Sequence, residues 1–307
     1  MAPKKILITG AAGMLGKDIA EIFAKDPKYR VFGLVRNEGS DYKKIIYKAI
    51  DLRNSPALKS AIKEVDPDII IHSAAIVDLG ACEKDHRDTD LVHVATTKIL
   101  SSYNKSNTRF IYISTDSVFD GKTGNYSETD NTHPLNYYAK SKLKGEKIAL
   151  TGNELSLIIR TNIYGYHTDQ RASLAEWAIA NLREKKNING FTDTIFNPLY
   201  TKQLAREIKF LAGKKNVSGI INIGSKKPVN KYDFLKQLAK TFSFDTDLIS
   251  VARMSDMKMT PARPKNTSLK CEKFVKLTKR KLPTLVAGLN EFKKDYYRSF
   301  DKNEDIL

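Results

Sequence analysis

Residues 134–147, "PLNYYAKSKLKGEK", set two tyrosines in front of four lysines. Residues four apart share one face of a helix, so Tyr138 stands over Lys142 while Tyr137 stands over Ser141. Pro134 suits a first helical turn, where its missing N–H costs nothing, and predicts that the helix opens there. A tyrosine hydroxyl can give a proton to an oxygen on which negative charge builds, but its ordinary pKa of about 10 is high for work at neutral pH. An ammonium beside it favours the phenolate and lowers that pKa. Tyr138 and Lys142 are therefore a candidate acid and its tuner. The competing reading is a surface helix with a solvated basic face, the reading that fits Lys140. Tyr137 has no lysine at the facing position and reads as packing or as the wall of a pocket.

A second chemical signal is "ITGAAGMLGKDIA", which sets Gly10, Gly13 and Gly16 between an apolar run and a helical pattern. Glycines there permit a tight turn and close backbone approach to a pyrophosphate, which then meets the positive end of the helix. A plain glycine-rich turn is the bland alternative. The elements around these residues alternate. "KILITG" (5–10), "YRVFGLV" (29–35), "IIYKAI" (45–50), "DIIIHSA" (68–74), "RFIYIST" (109–115) and "LSLIIR" (155–160) read as buried strands. Helical patterns lie between them at 16–26, at 55–65 with Ser55 at the cap and Pro56 first, and around 87–106. Nearly continuous apolar strands alternating with helices predict a doubly wound parallel α/β sheet. Later helices are expected at 173–186, 200–213, 229–242 and 282–297, with a short strand at 219–224. They predict a smaller, interwoven C-terminal lobe. The division expected is 1–160 plus about 195–225 for a dinucleotide, and 161–194 with 226–307 for a substrate.

Composition narrows the classes. The 307 residues are 41% hydrophobic, enough for a large core. No run approaches the roughly 20 apolar residues that span a bilayer, and "MAPKKILITG" lacks the long core of a signal peptide. The two cysteines, Cys82 and Cys271, have neither a disulfide framework nor metal spacing, so no metal and a reducing, cytoplasmic setting are expected. The formal net charge of +17 is spread along the chain without a nucleic-acid-binding signature, so no nucleic-acid partner is expected. A basic surface, compatible with an anionic ligand, fits it.

The "TGxxGxxG" spacing and the Tyr-x-x-x-Lys pair together resemble the extended short-chain dehydrogenase/reductase superfamily, a Rossmann-type fold. "ISTDSVFDG" (113–121), "RTNIYG" (160–165) and "ARPKNTSL" (262–269) resemble the corresponding segments of dTDP-4-dehydrorhamnose reductases. The resemblance implies NADPH-dependent reduction of a 4-keto-6-deoxy nucleotide sugar, in polysaccharide precursor synthesis. It implies Thr115, Tyr138 and Lys142 as catalytic residues, with Lys142 also on the nicotinamide ribose. It further implies cofactor contacts from Gly10, Gly13, Met14, Leu15, Gly16, Arg36, Asp51, Leu52, Ala74 and Ala75, besides Tyr138 and Lys142. Substrate contacts are implied for Thr115, Asp116, Val118, Asn162 and Arg263, and a homodimer is compatible with the family. Arg36 at the end of the second strand favours NADPH by meeting a 2′-phosphate, with NADH the alternative if the arginine only stacks on adenine. The triplet Thr115-Asp116-Ser117 lacks the carboxylate that related dehydratases carry third, which favours simple reduction. Asp116 reads equally as a residue bracing its loop, and Arg263 as a diphosphate ligand or a structural ion pair. His93 stands where the family has asparagine, either replacing it through a ring nitrogen or serving as a satisfied core histidine. Two other functions stay open: an NAD-dependent epimerase, and a dinucleotide-binding regulatory subunit.

Overall fold

The computed structural model describes residues 2–37, 44–103, 108–167 and 172–304. Strands β1 (Lys4–Thr9), β2 (Tyr29–Val35), β3 (Ile45–Ala49), β4 (Ile69–His72), β5 (Arg109–Thr115) and β6 (Leu157–Tyr164) arise from the apolar runs of the first half. They pair in parallel in the order β6-β5-β4-β1-β2-β3. Their side chains alternate between two buried faces. Ile6, Ile8, Ile71, Ile111 and Ile159 join one cluster, while Leu7, Ile70, Phe110, Tyr112 and Ile158 join the other. Apolar residues at every position are what a strand covered on both faces requires. Each fully buried Ile or Leu contributes roughly 1.5–3 kcal/mol.

The covering helices of this half are α1 (Met14–Ala24), α2 (Ser55–Val65), α3 (Leu79–Lys84), α4 (His86–Asp90), α5 (Thr96–Ser101) and α6 (Tyr137–Gly152). Three expectations are corrected here. Helix α2 is capped by Asn54, whose side chain accepts the Ala57 N–H, so Ser55 and Pro56 are its first two residues. Helix α6 opens at Tyr137, not near Pro134, because the Asn136 side chain accepts the Ala139 N–H at 3.0 Å and makes the better cap. The single helix expected around 87–106 is broken by a π-helical turn, Leu91–Ala95, and 104–106 fall outside the described residues. The Thr96 hydroxyl donates to the carbonyl of Leu91, five residues back, at 3.0 Å and to that of Leu52 at 3.1 Å, which accompanies the widened turn.

The second half adds α7 (Leu174–Arg183), β7 (Ile188–Phe191), β8 (Ile195–Phe196), β9 (Pro198–Tyr200), α8 (Thr201–Ala212) and β10 (Gly219–Asn222). Beyond them run β11 (Val229–Asn230), α9 (Lys231–Phe242), β12 (Ile249–Ala252), α10 (Glu272–Thr278) and α11 (Leu285–Glu304). Strand β10 extends the main sheet beside β6, and β9 pairs with the end of β6. Leu204, Ile208 and Leu211 of α8 share a cluster with Ile19 and Phe23 of α1. A separate core gathers Ile179, Leu182, Phe234, Leu238, Phe242 and Phe292 from α7, α9 and α11, flanked by the pairs β7–β12 and β8–β11. Among the described residues no helix is long and apolar enough to cross a membrane, and no cluster of His, Cys, Asp and Glu has the makings of a metal site.

Candidate active site

The glycine turn joins β1 to α1 at the carboxyl end of the sheet. Gly10 has φ +67°, and a Cβ there would stand 2.9 Å from the Ala74 Cα. A Cβ on Gly16 would reach 2.0 Å from the Gly10 carbonyl oxygen. Both positions exclude any side chain, and Gly13 caps α1 without a side-chain hydrogen bond. The first turn of α1, with Met14, Leu15 and Gly16, holds no acid and leaves its N–H groups open to an anion. This cradle fits a dinucleotide pyrophosphate. Ala74 and Ala75 lie beside it after β4, the Ala74 N–H donating to the Thr9 hydroxyl at 3.3 Å. Arg36 is exposed just after β2. Asp51 is gripped through both carboxylate oxygens by Arg53, which reaches on to Asp88 at 3.1 Å. That contact, helped by Arg36, holds Asp51 down at about 2. Leu52 packs its side chain on the core and gives its carbonyl to Thr96.

Thr115 ends β5, and its hydroxyl oxygen accepts the Ser117 N–H at 3.1 Å. The Thr115 hydroxyl lies near enough to the Tyr138 phenol to draw its pKa down. Lys142 lies one turn beyond Tyr138, almost fully buried. Its ammonium donates to the Ile113 carbonyl at 2.6 Å and sits 4.1 Å from the centre of the Tyr112 ring. Burial draws Lys142 down to about 7, against a smaller upward pull from Glu146. The expectation that Lys142 lowers the phenol of Tyr138 is corrected. Burial pushes Tyr138 above its ordinary range, the Thr115 hydroxyl draws it part-way back, and the lysine is held by a carbonyl on β5 instead.

Asp116 is buried beneath this pair. Its carboxylate accepts from Thr267 at 2.6 Å, Asn162 at 2.9 Å, Thr115 at 3.2 Å and Ser117 at 3.3 Å. Four donors from the chain itself favour the bracing reading, and they turn the Asn162 amide inward as well. Val118 has its side chain wholly buried with Phe119, Tyr126, Leu269 and Cys271, so only its backbone is available to a ligand. Arg263 is exposed and close enough to Lys231, at the start of α9, to lower that lysine's pKa behind the larger effect of burial. A cleft of about 540 Å³ opens between Gly80, Glu83 and Lys84 on one side and Thr260, Pro261 and Ala262 on the other. Tyr137 is not free of lysines, as its spacing suggested: Lys144, two turns on, stands 5.3 Å from its ring, and His86 stacks on it at 3.5 Å. Sequence reasoning missed Lys231, Ser141 and the Glu146–Arg160 pair. Only His93 left a signal, by its departure from the asparagine of the family.

The chain matches the family described as RmlD substrate binding domain over residues 4–298. It belongs to that family. The extended short-chain reductase resemblance read from the motifs therefore holds, and with it the α/β fold. The dTDP-4-dehydrorhamnose reductase of Aggregatibacter actinomycetemcomitans is 28% identical over 284 residues, covering 88% of this chain and 92% of that one. The methionine adenosyltransferase 2 subunit beta of Xenopus laevis is also 28% identical, over 285 residues covering 89% and 82%. A dTDP-4-dehydrorhamnose reductase from Bacillus anthracis, solved in complex with NADP, superposes with a TM-score of 0.82 at 22% identity, over 95% of this chain and 99% of that one.

Proposed function

We propose that the protein is an NADPH-dependent reductase of a 4-keto-6-deoxy nucleotide sugar, with Tyr138 as the proton donor. The observation that carries this reading is the convergence of Thr115, Tyr138 and the buried Lys142, whose ammonium is held on the Ile113 carbonyl, at the carboxyl ends of parallel strands. A reduced nicotinamide, when bound, supplies the hydride. Thr115 and Tyr138 together hold the ketone oxygen, and Tyr138 passes its proton there as charge grows. Burial keeps that phenol protonated until then. Lys142, at about 7, is placed to exchange a proton at neutral pH. Ser117 leaves no carboxylate beside Asp116 for an elimination. Residues 1–160 with about 195–225 hold the cofactor in this reading, and 161–194 with 226–307 hold the sugar nucleotide. Exposed Arg36 meets the 2′-phosphate, and Arg263 meets the diphosphate.

The test is incubation with NADPH and a panel of 4-keto nucleotide sugars while the reduced-nicotinamide absorbance is followed. Loss of absorbance with at least one sugar, and formation of its 4-hydroxy product, is expected. No turnover with any of them refutes the reading. A second reading, a dinucleotide-binding subunit, has support in the equal similarity to a methionine adenosyltransferase subunit. Tight NADPH binding without turnover would favour it.

A further inference from the structure

His93 is fully buried inside the π-helical turn, and both of its ring nitrogens have partners. Nε2 lies 2.8 Å from the backbone nitrogen of Ile76, in the segment that follows β4. Nδ1 lies 2.7 Å from the Ser141 hydroxyl, which in turn donates to the Tyr138 carbonyl at 2.8 Å. The ring also meets that of Tyr138 edge-on, with centroids 5.8 Å apart. The polarity of this chain of bonds has one solution. A backbone N–H can only donate, so Nε2 accepts. Ser141 spends its single proton on the Tyr138 carbonyl, so its oxygen accepts from His93, and Nδ1 carries the hydrogen. Burial and the nearby Lys142 push the imidazole down to about 3, so it is neutral across the working range. The backbone of His93 is pinned too, its carbonyl accepting from Thr97 at 2.6 Å.

We propose that His93 is a positioning residue: held as the Nδ1–H tautomer, it ties the segment after β4 to the first turn of α6 and so fixes where Tyr138 stands. The inference rests on the reductase reading for its kinetic consequence, but the tautomer can be read without turnover. In the full chain labelled with ¹⁵N-histidine, two-bond ¹H–¹⁵N correlation spectra should show the His93 ring in the Nδ1–H pattern, unchanged from pH 5 to 8. Its signal is assigned by its loss in His93→Gln. An Nε2–H pattern for His93, or a titration within that range, overturns the proposal.

Kinetics test the positioning. The side chain in His93→Asn reaches only Ser141, in His93→Gln only Ile76, and Ser141→Ala removes the link between. Each should lower kcat by about 10- to 100-fold, as a misplacement of about 1 Å does, with KM for NADPH within about threefold. Folded variants with wild-type kcat overturn the proposal, whatever their Tm. Wild-type protein that reduces no sugar would sink the reductase reading alone, and the spectra would still decide the tautomer. Should the His93 variants fail to fold, the shift of the His93 ring signals in Ser141→Ala assigns them instead, and the spectra decide the tautomer.

Discussion

Replacing Glu146 with glutamine removes one charge from a pair that water cannot reach. Glu146 and Arg160 have side-chain exposures of 2% and 3%, and the guanidinium grips both carboxylate oxygens, at 2.7 Å from Nη2 and 3.0 Å from Nε. The Ser114 hydroxyl also donates to this carboxylate, and Arg160 lies over the Phe119 ring. Glu146→Gln keeps the shape but leaves a buried guanidinium unmatched. Breaking such a pair costs about 3–5 kcal/mol, far above the ~0–1 kcal/mol of an exposed one. At about 2.1 cal/mol/K per residue, the 307 residues give an unfolding entropy of roughly 0.6 kcal/mol/K, so Tm should fall by about 5–8 °C in calorimetry. The double variant Glu146→Leu/Arg160→Met removes both charges and should recover most of that loss, because an apolar pair of similar volume carries no desolvation penalty. Activity offers a second readout. Glu146 is the group that raises Lys142 against burial, so in Glu146→Gln the alkaline limb of kcat/KM should move to lower pH. A single variant within about 1 kcal/mol of wild type, or a double variant no more stable than the single one, would refute the reasoning.

Tyr138→Phe should lower turnover by about 10²- to 10⁴-fold with NADPH binding intact, the usual worth of a positioned acid, whereas Tyr137→Phe should stay within a few-fold; steady-state kinetics with fluorescence titration separate the two. Arg36→Asp should reverse a preference for NADPH over NADH in calorimetric titration, and equal wild-type affinities would defeat that assignment. Asp18 is buried against the Thr201 hydroxyl and raised by burial to about 6, above its unfolded value. Its folded form holds the extra proton, so its contribution is present below its ordinary carboxylate pKa and is lost as pH rises through about 6. The stability of Asp18→Asn relative to wild type should therefore rise between about pH 4 and pH 7 in urea titrations; a flat difference would contradict the assignment.

Much of this molecule is legible because its signals are local. The run "YRVFGLV" is β2 from end to end and "RFIYIST" is β5, since a strand buried on both faces reads as a nearly continuous apolar run. The glycine turn is equally readable, because only glycine fits where the Gly10 carbonyl and Ala74 close on it. Thr115, Tyr138 and Lys142 converge as their motifs implied. What stayed hidden depends on distant partners. The hydroxyl that fills Asp116 comes from Thr267, 151 residues away, and no spacing near either residue announces it. The break at Leu91–Ala95 follows a threonine hydroxyl that reaches two carbonyls, one of them on a different element.

The case of Lys142 shows most clearly where spacing ceases to inform. Helical periodicity correctly puts its side chain on the face of Tyr138, and from that alone its charge should serve the phenol. The charge is instead hydrogen-bonded to the Ile113 carbonyl, and the low polarity around it draws the ammonium towards neutrality. A lysine at about 7 is a weaker electrostatic tuner than an exposed one but a better proton donor and acceptor at neutral pH. The same burial raises the phenol, so the two groups stay protonated or lose protons in a sequence that their surroundings set. Position on a helix face fixes which groups can meet, and desolvation decides which of them holds the proton when they do.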